Sequence, residues 1–185
     1  VTDARERFAV CTLSDAAFGC EGIAPQQVRH VRISHRLPWP YDERFGGLRY
    51  ENVALSEGLS WTPVEVLGTV PVEADGSAHF QVPVDTPVYF QLLDEQFMEL
   101  RRMRSSISFQ PGEKRGCVGC HESKAVAPTP KPGLLALLHE PSIPTPPPWG
   151  VRPLNFLRDI QPIFDRHCVT CHGGLKPAAE LDFSG

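Results

Sequence analysis

The chain has 185 residues, 41% of them hydrophobic and 22% charged, which fits one ordinary domain or two small ones and excludes a disordered chain. Its formal charge of -4 and pI near 6.0 indicate no basic face, so no nucleic-acid partner is expected. No apolar run approaches the ~18 residues of a membrane-spanning helix, so no transmembrane segment is expected.

The N-terminal residues 1–27 are predicted to be a loop region. They contain Cys11 and Cys20, which bracket a short polar stretch. A disulfide between these two cysteines is predicted, as is usual for a protein in an oxidising compartment. Two unpaired thiols in a reduced protein are the alternative.

A β-rich domain is predicted over residues 28–124. Apolar and polar side chains alternate over 28–37, which predicts a strand. Residues 63–110 contain several β-type runs separated by turn signals such as Asp75-Gly76-Ser77. Short strands with turns at this spacing predict a small β-sandwich.

The last third of the chain changes composition. Residues 125–153 are rich in proline and predict an extended linker. The segment 154–185 is predicted to be mostly irregular with short helices and to resemble a cytochrome c, so the overall class is α+β. Asn155 is a plausible helix N-cap, and Pro162 predicts a kink or a new helix start, because proline lacks a backbone donor.

Two short motifs carry the chemistry. Residues 117–121 read Cys-Val-Gly-Cys-His and residues 168–172 read Cys-Val-Thr-Cys-His. This pattern attaches c-type haem, because the two thiols reach two vinyl groups on one porphyrin edge and the imidazole binds the iron. The sequence therefore predicts two covalently bound haem c groups. The attachment residues are Cys117, Cys120, Cys168 and Cys171, and the axial iron ligands are His121 and His172.

The cysteine pairs have three alternative uses. A zinc site would favour ~15–20 residues between the pairs, whereas 47 residues separate them here. A thioredoxin-like site would need a cysteine pair opening a helix in a βαβ unit. Two structural disulfides across such short loops are the remaining alternative. The histidine that follows each pair favours haem.

The two motifs do not identify the second axial ligand of each iron. His35 shares the apolar face of its predicted strand, and His139 ends a short apolar segment between the motifs, so these two are the candidate distal ligands. A solvated or hydrogen-bonded side chain is the alternative for both. Since haem attachment and a disulfide both belong to oxidising compartments, a periplasmic or extracellular location is expected.

Several longer stretches resemble a known family. The first set resembles the middle domain of hydrazine synthase alpha-subunit-like proteins. It comprises Gly68–Ser77, Phe90–Asp94, Met103–Ser105 and Gln110–Glu122. Residues Arg158–Gly174 resemble the cytochrome c-like domain that follows it, as in planctomycete-type multidomain dihaem cytochromes.

This resemblance implies a haem in the middle domain and, for the hydrazine-forming enzyme, a tyrosine iron ligand four positions after the motif histidine. The matching residue here is Ala125. The departure argues against hydrazine synthesis by this chain.

Electron transfer between extracytoplasmic redox partners is therefore the leading functional hypothesis. Those partners are other redox proteins or neighbouring copies of the chain in a homo-oligomer, multihaem assembly or filament. The alternative is a haem enzyme or enzyme subunit of the hydrazine synthase alpha-like type, with one five-coordinate catalytic haem. A third hypothesis is a binding module that docks a partner through its sandwich.

Overall fold

The structure, a computed structural model, describes residues 7–37, 64–120, 125, 129 and 131–185. The motif histidine His121 lies outside these residues. The chain divides into two compact units, Val1–Arg152 and Pro153–Gly185. None of the described helices has the length and apolar character to cross a membrane.

The first unit is built from two β-sheets, which confirms the β-rich prediction. Its strands are β1 Phe8–Leu13, β2 His30–Arg36, β3 Val64–Pro71, β4 Ala78–Pro83, β5 Val88–Leu93, β6 Glu99–Arg102 and β7 Lys114–Cys117. One sheet has the order β4-β1-β7 and the other β3-β2-β5-β6. The β1–β7 pair is parallel, while the other strand pairs are antiparallel.

The core of this unit combines side chains from both sheets. Val31 and Ile33 of β2 and Phe80 of β4 are fully buried. Phe80 packs edge-on against Phe90 of β5, with ring centroids 5.4 Å apart. Because this contact joins the two sheets through their inner faces, the arrangement is that of a small sandwich.

The turn predicted at Asp75-Gly76-Ser77 is confirmed. Asp75 accepts hydrogen bonds from the backbone N–H of Ser77 at 3.0 Å and from its hydroxyl at 2.6 Å. Gly76 has φ +84°, a left-handed conformation that glycine adopts without a Cβ penalty. Strand β4 begins directly after this turn, and its alternate residues are buried.

The prediction of a loop over residues 1–27 is wrong for the first half of this range. Phe8–Leu13 forms β1, the central strand of the three-stranded sheet. Its alternate residues Ala9, Cys11 and Leu13 are buried, which is the period-two pattern of a strand with one face in the core. Alternation over only six residues is too short to predict a strand from the sequence alone.

The proline-rich segment predicted as a linker packs instead within the first unit. Thr145 exchanges two backbone hydrogen bonds with Thr69 of β3, each 2.9 Å long. Ser142 pairs with Phe80 of β4 in an isolated bridge. A Cβ at Gly68 would lie 2.7 Å from the carbonyl oxygen of Thr145, so glycine is needed for this close approach.

The second unit begins with the cap predicted at Asn155, whose side chain accepts a hydrogen bond from the N–H of Arg158 at 3.1 Å. A π-helical turn covers Phe156–Ile160, and helix α1 spans Gln161–His167 with Pro162 in its first turn. The predicted new helix start is therefore confirmed. Short 3₁₀ segments lie at Pro25–Gln27 and Leu135–Leu138 in the first unit and at Ala178–Glu180 in the second.

Candidate haem-attachment sites

The second motif continues directly from the end of α1. The N–H of Cys168 donates to the carbonyl of Phe164 at 2.8 Å. The N–H groups of Cys171 and His172 both donate to the carbonyl of Cys168, at 3.1 and 2.8 Å. This helical turn brings side chains three positions apart to the same side. Both thiols can therefore reach one edge of a porphyrin.

The imidazole of His172 is oriented by a backbone carbonyl. Its Nδ1 lies 3.0 Å from the carbonyl oxygen of Ala178. A carbonyl oxygen only accepts hydrogen bonds, so Nδ1 carries the proton and Nε2 keeps the lone pair that binds a metal. Metal-binding histidines commonly donate their second ring nitrogen in this way, which fixes the ring and raises its basicity.

Aromatic rings surround this histidine on one side. The ring of Phe183 lies 5.2 Å from the imidazole of His172 and 5.2 Å from the ring of Phe164. The N–H of Phe183 also donates to the carbonyl of His172 at 2.7 Å. The last residues of the chain thus fold back over the motif and support the ligand side of the site.

The second unit has almost no apolar interior of its own. Among its 33 residues, from 153 to 185, Gln161 is the one that is buried, with 9% of its surface exposed. A unit this small rarely folds through a hydrophobic core alone. Six large apolar side chains are more than half exposed: Leu154, Phe156, Leu157, Ile163, Leu175 and Leu181. A covalently attached porphyrin would supply the missing apolar surface, so these residues fit a haem.

The first motif begins at the end of β7 and runs beside the loop that follows β1. The carbonyl of Cys117 accepts a hydrogen bond from the N–H of Ser14, and that of Val118 accepts one from Asp15, both at 2.9 Å. Cys117 and Cys120 are partly buried and pack against the core of the first unit. Their motif histidine, His121, lies outside the described residues.

Each cysteine of the first motif faces one N-terminal cysteine. A hydrogen bond with Cys117, together with burial, raises the pKa of the Cys11 thiol. Burial, and then the neighbouring Cys20, raise the pKa of Cys120 to about 12. Cys11 and Cys20 are not joined to each other in this structure. The reason is that β1 and the following turn direct their side chains to different partners in the first motif.

Gly119 allows the first motif to pack this closely. A Cβ at this position would lie 2.6 Å from both the Cβ and the carbonyl oxygen of Phe18. We expect Gly119→Ala to lower the free energy of unfolding by about 1–3 kcal/mol, because overpacking forces the backbone to shift. Urea denaturation of the full chain measures this change.

Gly116→Ala is the matched control for that substitution. A Cβ at Gly116, three residues earlier in the same segment, meets no atom within 4 Å. Its effect should stay within about 0.5 kcal/mol. Equal unfolding midpoints for the two variants would contradict the close packing of Gly119 on Phe18.

The two candidate distal ligands are placed differently. His35 lies on β2, and its Nδ1 is 3.7 Å from a carboxylate oxygen of Glu65 on β3. His139 follows the 3₁₀ segment Leu135–Leu138 and is exposed. Neither placement provides a reason to assign a distal ligand. Within the part of the chain that the structure describes, no three His, Cys, Asp or Glu residues are grouped to hold a metal ion.

Sequence reasoning missed two contributors to these sites. The carbonyl of Ala178 is a backbone acceptor, and no side-chain pattern reports such a group. The partners of Cys11 and Cys20 lie about a hundred residues further along the chain. The alternation of Ala9, Cys11 and Leu13 was the available signal for a strand here, although it does not identify the neighbouring strand.

Comparisons with known proteins bear on the fold and the family. The profile of the hydrazine synthase alpha subunit middle domain matches residues 27–122. The solved structure of Kuenenia stuttgartiensis hydrazine synthase superposes with a TM-score of 0.74 at 18% identity, covering 97% of this chain and 31% of that chain. This chain thus spans about a third of the length of that structure. No curated protein matches this chain.

These matches confirm the predicted resemblance to the middle domain, while the cytochrome c-like nature of residues 154–185 stays a prediction. The profile covers more than half of the chain and extends through the whole first motif. The chain belongs to the hydrazine synthase alpha subunit middle domain family.

Proposed function

We propose that the chain is a haem-carrying part of a redox enzyme of the hydrazine synthase alpha type. In this proposal one haem c is held by Cys117, Cys120 and His121. The observation that carries the proposal is the family match over residues 27–122, because the matched range contains the entire first motif. Electron transfer alone is the broader expectation from the sequence, and family membership favours an enzyme or enzyme subunit.

A second haem c is proposed at Cys168, Cys171 and His172. The hydrogen bond from His172 Nδ1 to the carbonyl of Ala178 supports this site, since it leaves Nε2 available for iron. A bound haem would supply the redox-active iron. The chain would attach the group through two sulfurs, orient the imidazole and cover part of the porphyrin with Phe164 and Phe183.

Electron transfer without catalysis is the second candidate, and one observation favours it. The related hydrazine-forming enzyme is expected to use a tyrosine four positions after the motif histidine, and this chain has Ala125 there. If each iron instead has two protein ligands, no position is left for a substrate. The chain would then pass electrons between other redox proteins or neighbouring copies of itself.

The proposed setting is an exported redox assembly. Haem attachment through Cys-x-x-Cys-His motifs suits a periplasmic or extracellular protein. Partner proteins are proposed because the haems would exchange electrons with other redox centres. A homo-oligomer or filament of dihaem units is the arrangement proposed for the electron-transfer case.

The test is expression of the full chain in a host competent for cytochrome c maturation. We expect the denatured protein to retain two haems by intact mass, and its reduced absorption spectrum to be of the c type. Carbon monoxide then separates the two candidates. Binding at one haem, together with a high-spin ferric signal, supports the enzyme type, because one iron has an open position.

Two low-spin haems that do not bind carbon monoxide would support electron transfer instead. A colourless product at the mass of the bare polypeptide would contradict both candidates. The third hypothesis, a binding module, would then be favoured.

A further inference from the structure

Two buried thiols of the first unit have no role in the proposed haem sites. Cys11 is 0% exposed and Cys20 is 7% exposed. Reduced cysteines at such positions are usually small core residues. Here, however, each lies against a second cysteine, so the four sulfurs form two pairs rather than isolated core thiols.

The first pair follows from the parallel pairing of β1 with β7. In this register Cys11 lies opposite Arg115, and Leu13 lies opposite Cys117. Residues two apart on a strand share a face, so Cys11 and Cys117 are diagonal neighbours on one face of the sheet. Their side chains are in hydrogen-bond contact.

The second pair follows from the loop that continues β1. The N–H of Asp15 donates to the carbonyl of Val118 at 2.9 Å, and Phe18 packs on the backbone of Gly119. The N–H of Cys20 then donates to the carbonyl of Ala17 at 3.0 Å, which closes the turn. This path carries Cys20 to Cys120, and the two side chains are in hydrogen-bond contact.

We propose that, before haem is attached, these four cysteines close into two disulfides, Cys11–Cys117 and Cys20–Cys120. Each closure joins two sulfurs and releases two protons and two electrons. A small-molecule disulfide such as oxidised glutathione takes them up and leaves as two thiols. The bonds would tie the central strand β1 and its following turn to the first motif.

The two disulfides do not depend on the proposed function, but their effect on haem attachment rests on it. A cysteine sulfur that forms a disulfide cannot also form a thioether, so the two disulfides and a haem at Cys117 and Cys120 exclude each other. Haem attachment at the first motif would therefore require prior reduction of both bonds. The existence of the disulfides can be tested without any haem.

The test uses the full haem-free chain, oxidised with a glutathione redox couple, alkylated and digested with trypsin after denaturation. Trypsin releases residues 8–29, which contain both N-terminal cysteines, and residues 116–124, which contain the first motif. We expect these peptides to appear joined by two disulfides, four hydrogens lighter than their sum. Separate peptides, each closed internally, would overturn the inference, and so would four alkylated thiols.

Two double variants establish which sulfurs are joined. Cys11→Ala with Cys117→Ala leaves the matched pair and should still give joined peptides. Cys11→Ala with Cys120→Ala leaves Cys20 and Cys117, which are not neighbours, so the joined product should be lost. Equal yields from both variants would overturn the pairing. In haem-loaded protein the peptide 8–29 should instead carry two alkylated thiols, which tests the exclusion separately from the disulfides.

Discussion

Replacing Cys168 and Cys171 together by alanine is expected to remove one covalent haem and to unfold the segment 153–185. This unit has one buried residue, and that residue is the polar Gln161. Without the porphyrin, a unit of this size has little apolar burial to offset the entropy of ordering its backbone. Intact mass counts the haems, and limited trypsin digestion at Arg158 and Arg166 reports the unfolding.

The matched control is the double alanine variant of Cys117 and Cys120, which should keep the haem of the second motif and the protease resistance of that unit. His172→Ala separates ligation from attachment, because both thioethers can still form while the iron loses its imidazole. It should therefore retain the haem mass and change the spectrum. Unchanged haem content and digestion in the Cys168 and Cys171 variant would contradict the site.

Phe80→Ala is expected to lower the free energy of unfolding of the first unit by about 3–5 kcal/mol. Phe80 is fully buried on β4 and packs edge-on against Phe90 of the other sheet. Its truncation leaves a cavity at the junction of the two sheets, where neighbouring strands cannot collapse freely. Thermal unfolding should show a fall in Tm of roughly 10 °C or more.

Phe8→Ala is the control for that substitution. Phe8 lies at the start of β1, in the same sheet as Phe80, but its side chain is 55% exposed. Its loss should change the free energy of unfolding by no more than about 0.5 kcal/mol. Similar Tm values for the two variants would show that Phe80 does not join the sheets as described.

Local patterns in the chain predicted several features that the structure confirms. Alternation placed β2, and the turn at Asp75-Gly76-Ser77 marked the start of β4. Asn155 and Pro162 predicted the cap and the second helix start in the second unit. In each case the signal is the identity or spacing of neighbouring residues, so the information lies in the local sequence.

Other predictions failed because their outcome depends on distant contacts. Residues 8–13 are short and mixed in composition, and they become a strand because β4 and β7 pair with them on both sides. The proline-rich segment joins the first unit through Thr145, which pairs with Thr69 of β3. Proline content predicts an extended backbone, but an extended backbone can either span solvent or pair with a strand.

The amino-acid sequence by itself determined the two Cys-x-x-Cys-His motifs and the β-rich character of the first unit, because spacing and alternation are properties of neighbouring residues. Only the tertiary structure decided that Cys11 lies beside Cys117 and Cys20 beside Cys120. It also decided that the carbonyl of Ala178 orients His172. The thiol pairs follow from strand order and register, and the orientation of the His172 ring follows from a backbone carbonyl. Neither can be read from the identity of nearby side chains.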